Sequence, residues 1–184
     1  MQRIQSIDPK NAEGKTRELF DQVQSTFGMI PNTARVMANS PAVLESFLAI
    51  SDAMGQAKIG QKLLNQVKLS TSESNSCDYC TSILSAVAPS AGLSAADILN
   101  SRRKTAEDAK SRVALQFADS VLQNAGKISN EDLAEVRQAG FDDGEIVEIA
   151  VSVVLGCFTN FLNNMALTEI DVPKAPAVDQ CAVN

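Results

Sequence analysis

The stretch IGQKLLNQVKLSTSESNSCDYC, residues 59–80, decides the fold class of this chain. Its first part carries apolar residues at helical spacing, which are Ile59, Leu63, Leu64 and Val67. That spacing predicts a helix that reaches about Ser74 and is followed directly by the pair Cys77 and Cys80. A thioredoxin-type fold places a Cys-x-x-Cys pair between a β-strand and a helix, so a helix before the pair disfavours that fold.

Outward from this stretch, the apolar residues keep helical spacing in nearly every segment, and no long β-alternation occurs. Further helices are predicted near residues 19–27, 36–40, 41–54, 77–87, 94–99, 106–124, 133–136 and 143–168. Gly28 suits a helix end and Pro41 a helix start, and Asn75 with Ser76 is predicted to cap the helix of the Cys pair. We therefore predict an all-α, single-domain orthogonal bundle of seven or eight helices.

The composition suits one globular domain and excludes several classes of function. At 184 residues, the chain is long enough to bury a core without disulfides or metals. It contains no His, which excludes His-dependent catalysis, His-ligated metals and a His pH switch. A net charge of −6 and an aromatic content of 4% disfavour charge-driven binding and base stacking. We therefore predict no nucleic-acid partner and no membrane partner.

The N-terminal residues lack the long apolar stretch of a signal peptide. The most apolar run, residues 149–158, is about half as long as a membrane span. Four sparse Cys disfavour a secreted disulfide scaffold, so we expect a cytoplasmic protein.

The last helix is apolar nearly all round between Ile146 and Phe161, so its own domain or a neighbouring subunit must surround it. This pattern favours a homo-oligomer.

The Cys pair carries the chemistry of the chain. Residues three apart on the first turn of a helix share one face and can form a disulfide. The helix N-terminus favours a thiolate, whereas Asp78 between the two cysteines disfavours it by like-charge repulsion. Three interpretations stay open at this point: a redox dithiol, a structural or idle thiol pair, and half of a metal site.

The other two cysteines do not complete a metal site in any obvious way, although zinc needs four ligands. Cys157 lies inside an apolar helix and is interpreted as a small buried residue. Cys181 lies in the tail and is interpreted as an exposed, incidental thiol. We therefore predict no metal ligands and no bound cofactor.

Three groups of residues together carry a resemblance to a known family. The central group is STSESNSCDYC, residues 70–80, followed by Ala86 and Gly92-Leu93-Ser94. Phe27-Gly-Met-Ile-Pro31-Asn32 with residues 40–44 precedes it, and residues 159–164 with residues 169–173 close the chain. In this order the motifs resemble the peroxidase-related branch of the alkylhydroperoxidase D-like, carboxymuconolactone decarboxylase family. The resemblance covers roughly residues 15–173, which we take as the helical domain between a lead-in, 1–14, and an irregular tail, 174–184.

The resemblance implies an all-helical, AhpD-like fold that assembles as trimers or hexamers. In redox-active relatives the second Cys attacks the peroxide or accepts electrons, and the first Cys resolves it as a disulfide. Carried over, Cys80 is the nucleophile and Cys77 is the resolving thiol. The implied partners are a peroxide or disulfide substrate and a dithiol electron donor that reduces the pair again.

The chain departs from the family at both positions of its proton relay. The relay His, four residues after the second Cys, is replaced by Leu84. The relay Glu, about twelve residues before the first Cys, corresponds to Asn65 or Gln66. Leu cannot accept a proton, and an amide cannot relay one as a carboxylate does. Efficient peroxidase turnover by the usual relay is therefore not expected.

Three residues near the pair are candidates for supporting roles. Glu73 lies four residues before the first Cys, Tyr79 lies inside the pair, and Gln66 can orient a thiol by a hydrogen bond. The alternative interpretations are a solvated carboxylate for Glu73 and simple packing for Tyr79. Asn163 and Asn164 point toward the Cys helix if the last helix packs there.

The predicted function is a thiol-dependent antioxidant activity, either peroxide reduction or disulfide exchange, by a weak thiol peroxidase or disulfide oxidoreductase. The alternative is a non-catalytic oligomeric or redox-sensing protein, which the missing relay also fits. A decarboxylase is disfavoured because such relatives depend on His and lack the redox pair. The basic cluster in residues 102–112 is interrupted by Glu107 and Asp108 and is interpreted as a solvated helix face.

Overall fold

A computed structural model describes residues 1–180, with the backbone alone described for Gln180. In this range the chain forms nine α-helices and no strand. They are α1 Gly14–Phe27, α2 Asn32–Met37, α3 Pro41–Gly55, α4 Gly60–Ser74, α5 Asp78–Val87, α6 Ala95–Arg102, α7 Ala109–Gln123, α8 Asn130–Gln138 and α9 Asp143–Ala166. The predicted all-α class is confirmed. The nine helices within residues 1–180 are one more than the seven or eight of the predicted bundle, and they match in number the individual segments that the sequence predicts, short ones such as α2 of six residues included.

Most helix boundaries follow the local sequence signals. Gly28 ends α1 with a φ of 73°, a left-handed conformation that glycine adopts without strain. Reciprocal capping boxes start three helices, with the pairs Ser94 and Asp97 on α6, Ser129 and Asp132 on α8, and Asp142 and Glu145 on α9. These caps satisfy backbone amides that have no partner inside the helix.

The helix α4 lies at the centre of the fold, where it packs against α5, α6, α7 and α9. Its apolar residues Leu63 and Val67 join a core with α7, α8 and α9. A second core joins α1, α2 and α3. Gly156 allows the close crossing of α9 over α4, because a Cβ at this position would lie 2.9 Å from Thr71 Cγ2. This crossing brings the last helix beside the Cys pair.

The helix α9 is long and apolar enough to cross a membrane by length and composition. In the fold it packs against α2, α3, α4, α5 and α7, which is the position of a core helix. Within residues 1–180 one side of it is uncovered and carries a stripe of exposed apolar residues: Val147, Val154, Phe158, Phe161 and Met165. The expectation that α9 is surrounded is therefore met on one side only by the part of the chain that the structure describes.

Candidate active site

Cys77 and Cys80 form a disulfide at the start of α5, with their Cα atoms 5.2 Å apart. Both residues are buried, at 1% and 2% exposure, and they pack with Tyr79, Ile83 and Ile170. A redox partner therefore reaches either sulfur only through a cavity or by a local opening of the fold.

Cys77 itself caps α5, which differs from the predicted capping by Asn75 and Ser76. Its Sγ accepts a hydrogen bond from the Cys80 backbone N–H at 3.3 Å. Ser76 has a φ of 49°, and this left-handed turn places Cys77 at the cap position. When the disulfide is reduced, the amides and dipole of the α5 N-terminus favour the thiolate form of Cys77.

Asp78 disfavours the Cys77 thiolate less than its position between the two cysteines indicates. Its carboxylate is exposed and forms an ion pair with Lys174 Nζ at 2.7 Å. Water and the ammonium reduce its repulsion toward a thiolate. The negative charge between the two cysteines is therefore partly neutralised, although Asp78 lines the same cavity as Cys77.

A cavity of about 430 Å³ lies on the Cys80 side of the disulfide. Apolar residues of α1, α3, α4, α5 and α9 supply most of its wall, among them Phe27, Phe47, Leu64, Leu84 and Leu155. Phe27, Met29 and Val87 line the cavity and are themselves exposed, so it opens to solvent between the α1–α2 loop and the end of α5. The volume lies in the usual range of small-molecule sites.

Asn163 is the polar side chain that contacts Cys80 in this cavity. Its Nδ2 donates to Cys80 Sγ at 3.5 Å and to the Thr159 carbonyl at 2.9 Å. A donor at this distance stabilises negative charge on the sulfur. The amide oxygen of Asn163 is buried and has no hydrogen-bond partner within residues 1–180.

Lys68 is the single charged residue in the wall of this cavity, within the described chain. It lies on the face of α4 that carries Leu64, and it is partly buried. Burial lowers the pKa of its ammonium from 10.5 to about 8. No hydrogen bond or ion pair joins its Nζ to any residue in 1–180. No sequence motif indicates a role for this lysine.

A second, more polar cavity of about 330 Å³ lies on the Cys77 side. Its wall contains Glu73 and Arg102, whose Oε2 and Nε are 2.8 Å apart, and also Lys174. The Arg102 side chain is only 6% exposed, and Glu73 neutralises its charge. Glu73 therefore shares a cavity with Cys77, as its position predicts, but it is paired with an arginine that the sequence did not indicate.

Tyr79 binds the end segments of the domain rather than a sulfur atom. Its hydroxyl donates to Asp171 Oδ1 at 3.0 Å and accepts from the Thr33 N–H at 3.1 Å. Asp171 Oδ2 also accepts from the Asn32 N–H. Burial is the main cause that raises the pKa of Tyr79 far above 10.0. Tyr79 thus positions α5 against the start of α2 and the segment that follows α9.

Amide side chains of α9 hold the turn between α4 and α5. Asn160 donates to Ser72 Oγ, and Asn75 Nδ2 donates to Asn160 Oδ1, both at 2.9 Å. Asn164 donates to the Asn75 carbonyl, also at 2.9 Å. Asn75 Nδ2 contacts Cys157 Sγ at 3.6 Å, and burial raises the pKa of that thiol. Cys157 therefore belongs to a structural network behind the Cys pair.

The remaining predicted residues lie near the site without contacting a sulfur. Gln66 is buried, and neither polar atom of its side chain has a partner within residues 1–180, so it does not orient a thiol here. Asn65 lines the Cys80 cavity, and Leu84 is a buried wall residue of it. Cys181 lies outside the described residues. In residues 1–180, no group of three or more His, Cys, Asp or Glu could hold a metal ion.

Several solved structures share this fold. An uncharacterised peroxidase-related protein from Silicibacter sp. TM1040 superposes with a TM-score of 0.78 and 22% identity, over 92% of this chain and 94% of that chain. A peroxidase-related protein with an alkylhydroperoxidase AhpD core, from Ralstonia eutropha JMP134, gives a TM-score of 0.79 and 22% identity over 92% of each chain. The debrominase Bmp8, as a cysteine-to-alanine variant in complex with 2,3,4-tribromopyrrole, gives 0.76 and 19% identity over 91% of each chain.

By sequence, no protein-family model matches the chain, and neither does any curated protein. The solved structures nevertheless agree with the all-α bundle over nearly the whole described range. They bear out the fold that the motifs around residues 27–32, 70–80 and 159–173 led us to expect. The chain has the AhpD-like fold of the peroxidase-related proteins.

Proposed function

We propose that this protein is a thiol-dependent reductase of organic hydroperoxides, with Cys80 as the nucleophile and Cys77 as the resolving thiol. The observation that carries the proposal is the position of Cys80, which lines a mostly apolar cavity of about 430 Å³. The side-chain amide of Asn163 donates a hydrogen bond to its sulfur. Hydrogen peroxide needs no such volume, whereas an organic hydroperoxide fills it. Cys77 does not line this cavity, which supports the assignment of the two roles.

The proposed cycle balances in three steps. The Cys80 thiolate attacks the terminal peroxide oxygen, the O–O bond breaks, and the organic product leaves as an alcohol after taking up a proton. The Cys77 thiolate then attacks the Cys80 sulfenic acid, the S–O bond breaks, and water leaves after protonation. A dithiol donor reduces the disulfide by two thiol–disulfide exchanges and is itself oxidised to a disulfide.

The polar cavity on the Cys77 side is the proposed entrance for the dithiol donor. It reaches Cys77 without passing through the apolar cavity. Attack of a donor thiolate on Cys77 releases Cys80 as a thiolate, next to the Asn163 amide. Such a cycle requires a reducing compartment such as the cytoplasm, which we propose as its location.

We further propose that the exposed stripe of α9 pairs with another copy of this chain. Phe161, at 62% exposure, and Val154, at 60%, lie two turns apart on the uncovered side of a helix whose other side is core. Large exposed apolar side chains that are clustered in this way mark interaction surfaces. Self-association covers them without any further component.

Reductive dehalogenation is a second candidate, because the debrominase Bmp8 shares the fold and the cavity beside Cys80 is mostly apolar. The overall balance is one aryl bromide and two thiols giving one arene, one disulfide, bromide and a proton. Bromide release from tribromopyrrole, measured with a dithiol donor, separates this activity from peroxide reduction.

The test of the proposal is the consumption of cumene hydroperoxide with dithiothreitol as donor. We expect turnover by the wild type and by Cys157→Ser, which removes the free cysteine of the structural network. Cys80→Ser should abolish turnover, and Cys77→Ser without donor should consume at most about one equivalent of peroxide. Turnover no faster than the donor alone, or full activity in Cys80→Ser, refutes the proposal. A disulfide that forms and is reduced without turnover supports the redox-sensing alternative instead.

A further inference from the structure

We propose that the Cys80 cavity selects organic molecules that combine an apolar body with an anionic group, and that Lys68 is the residue that binds the anion. The inference rests on the proposed function in one respect, which is that Cys80 meets its substrate in this cavity. It adds a substrate class, an apolar organic acid that carries the reducible group, and it adds a residue that determines specificity.

The charge of the Cys80 cavity is unbalanced. Its wall combines aromatic and aliphatic residues with one ammonium, and within the described residues no carboxylate lines it. An ion in apolar surroundings without a counter-ion is unfavourable, and a bound anion removes this penalty. The polar cavity offers a contrast, because Glu73 already neutralises Arg102 there.

Several wall residues of the same cavity carry polar atoms that lack hydrogen-bond partners. Thr33 Oγ1, Ser51 Oγ and Asn163 Oδ1 belong to residues that line the cavity, and each is buried without a hydrogen bond in residues 1–180. Thr33 and Asn163 are 8% and 3% exposed. Buried polar groups are normally paired, and a polar ligand in the cavity would satisfy these atoms once small side-chain rotations turn them toward it.

Asn163 and Lys68 can bind different parts of one ligand. The Asn163 amide nitrogen donates to Cys80 Sγ, and its buried oxygen can only accept a hydrogen bond, which suits the terminal O–H of a hydroperoxide once a small rotation of the amide turns that oxygen toward the cavity. Lys68 can only donate, which suits a carboxylate. An acid whose reducible group lies apart from its carboxylate can therefore use both residues at once.

The test measures binding to the oxidised protein, whose disulfide cannot reduce a ligand. Cuminate and cuminyl alcohol have the same apolar body, but cuminate carries a carboxylate where cuminyl alcohol carries a hydroxymethyl group. Isothermal titration compares both ligands on the wild type, on Lys68→Met and on the matched control Lys62→Met. Lys62 lies on the same helix and pairs with Asp97 rather than lining the cavity.

We expect the wild type and Lys62→Met to prefer cuminate over the alcohol. Lys68→Met should weaken cuminate binding by about 10- to 100-fold, the effect of losing a hydrogen bond to a charged group, and should leave the alcohol unchanged. Lys68→Arg should keep a preference for the anion. No preference in the wild type, no binding of either ligand, or equal losses for both ligands in Lys68→Met overturns the inference.

The result of this binding test can be distinguished from the result of the turnover test of the proposed function. Anion-selective binding without peroxide turnover refutes the reductase and leaves Lys68 as an anion-binding residue. Turnover of cumene hydroperoxide without any preference for cuminate refutes the role of Lys68 and leaves the reductase. Circular dichroism of the Lys68 variants establishes that they fold, and Lys68→Gln provides a second uncharged variant.

Discussion

Replacement of Lys68 by Met should stabilise the folded protein, although it removes a charge from a net acidic chain. The pKa of Lys68 falls from 10.5 to about 8 in the folded state. Each tenfold change in proton affinity is worth about 1.4 kcal/mol, so the protonated ammonium costs at most about 3.5 kcal/mol on folding. Solvent that enters the open cavity reduces this figure. Met keeps the length and the apolar stem of the side chain without the charge.

The sign of the pH dependence follows from the direction of this pKa change. Between pH 8 and pH 10.5 the unfolded chain binds more protons at Lys68 than the folded chain does, so the stability of the wild type rises with pH in this window. Lys68→Met lacks this term. The advantage of the variant should therefore be largest below pH 8 and should shrink to about 1 kcal/mol by pH 10.

The assay is urea denaturation of the oxidised wild type, Lys68→Met and the control Lys62→Met at pH 7, 8, 9 and 10. We expect a higher free energy of unfolding for Lys68→Met at pH 7 and converging values toward pH 10. Saturating cuminate should stabilise the wild type more than Lys68→Met, since a ligand that binds the folded state adds to its stability. A difference between the two proteins that stays constant with pH, or a less stable Lys68→Met at pH 7, refutes the reasoning.

Three further predictions concern the surroundings of the Cys pair and the outer side of α9. Tyr79→Phe should lower the free energy of unfolding, measured in urea, by about 1–3 kcal/mol, because Asp171 loses a buried hydrogen-bond donor. Since the pKa of Tyr79 is raised in the folded state, the extra stability of the wild type over this variant should decrease as the pH rises above 10. Arg102→Met should slow the reduction of the disulfide by dithiothreitol, because the unpaired Glu73 carboxylate repels the donor thiolate in the polar cavity beside Cys77. Adding Glu73→Gln to this variant should restore the rate. Phe161→Asp should convert an oligomer into a 19.6 kDa monomer in light scattering; a wild type that is already monomeric contradicts this prediction.

Most of the fold could be predicted from local sequence. Apolar residues such as Leu63 and Val67 recur at helical spacing and do form the buried face of α4. The capping box of Ser129 and Asp132, which starts α8, is likewise formed by residues three apart in the sequence. Local sequence did not predict the cap of α5, because Ser76 adopts a left-handed turn and the Asn75 side chain binds α9 instead.

The candidate site was less predictable, because its residues come from distant parts of the chain. The pair Cys77 and Cys80 is visible as a motif, whereas Asp171 reaches Tyr79 across 92 positions. Lys68 has the sequence context of an ordinary helix surface residue. It becomes part of a cavity wall only because residues of α1, α3, α5 and α9 surround the same space as this face of α4. Buried charge is a property of packing, and no local pattern indicates it.

The energetics of Lys68 bear on the choice between an active site and an idle thiol pair. A penalty of up to about 3.5 kcal/mol is large against the roughly 5–15 kcal/mol that separates folded from unfolded proteins. Residues that reduce stability in this way concentrate where function requires them. Here the unbalanced Lys68 and also Asn163, whose buried amide oxygen is unpaired, are wall residues of the same cavity as Cys80. An idle pair needs none of these groups, since apolar side chains would fill the space more stably. The distribution of unsatisfied groups therefore favours chemistry on the Cys80 side, even though Leu84 replaces the proton acceptor of the relatives that the motifs resemble.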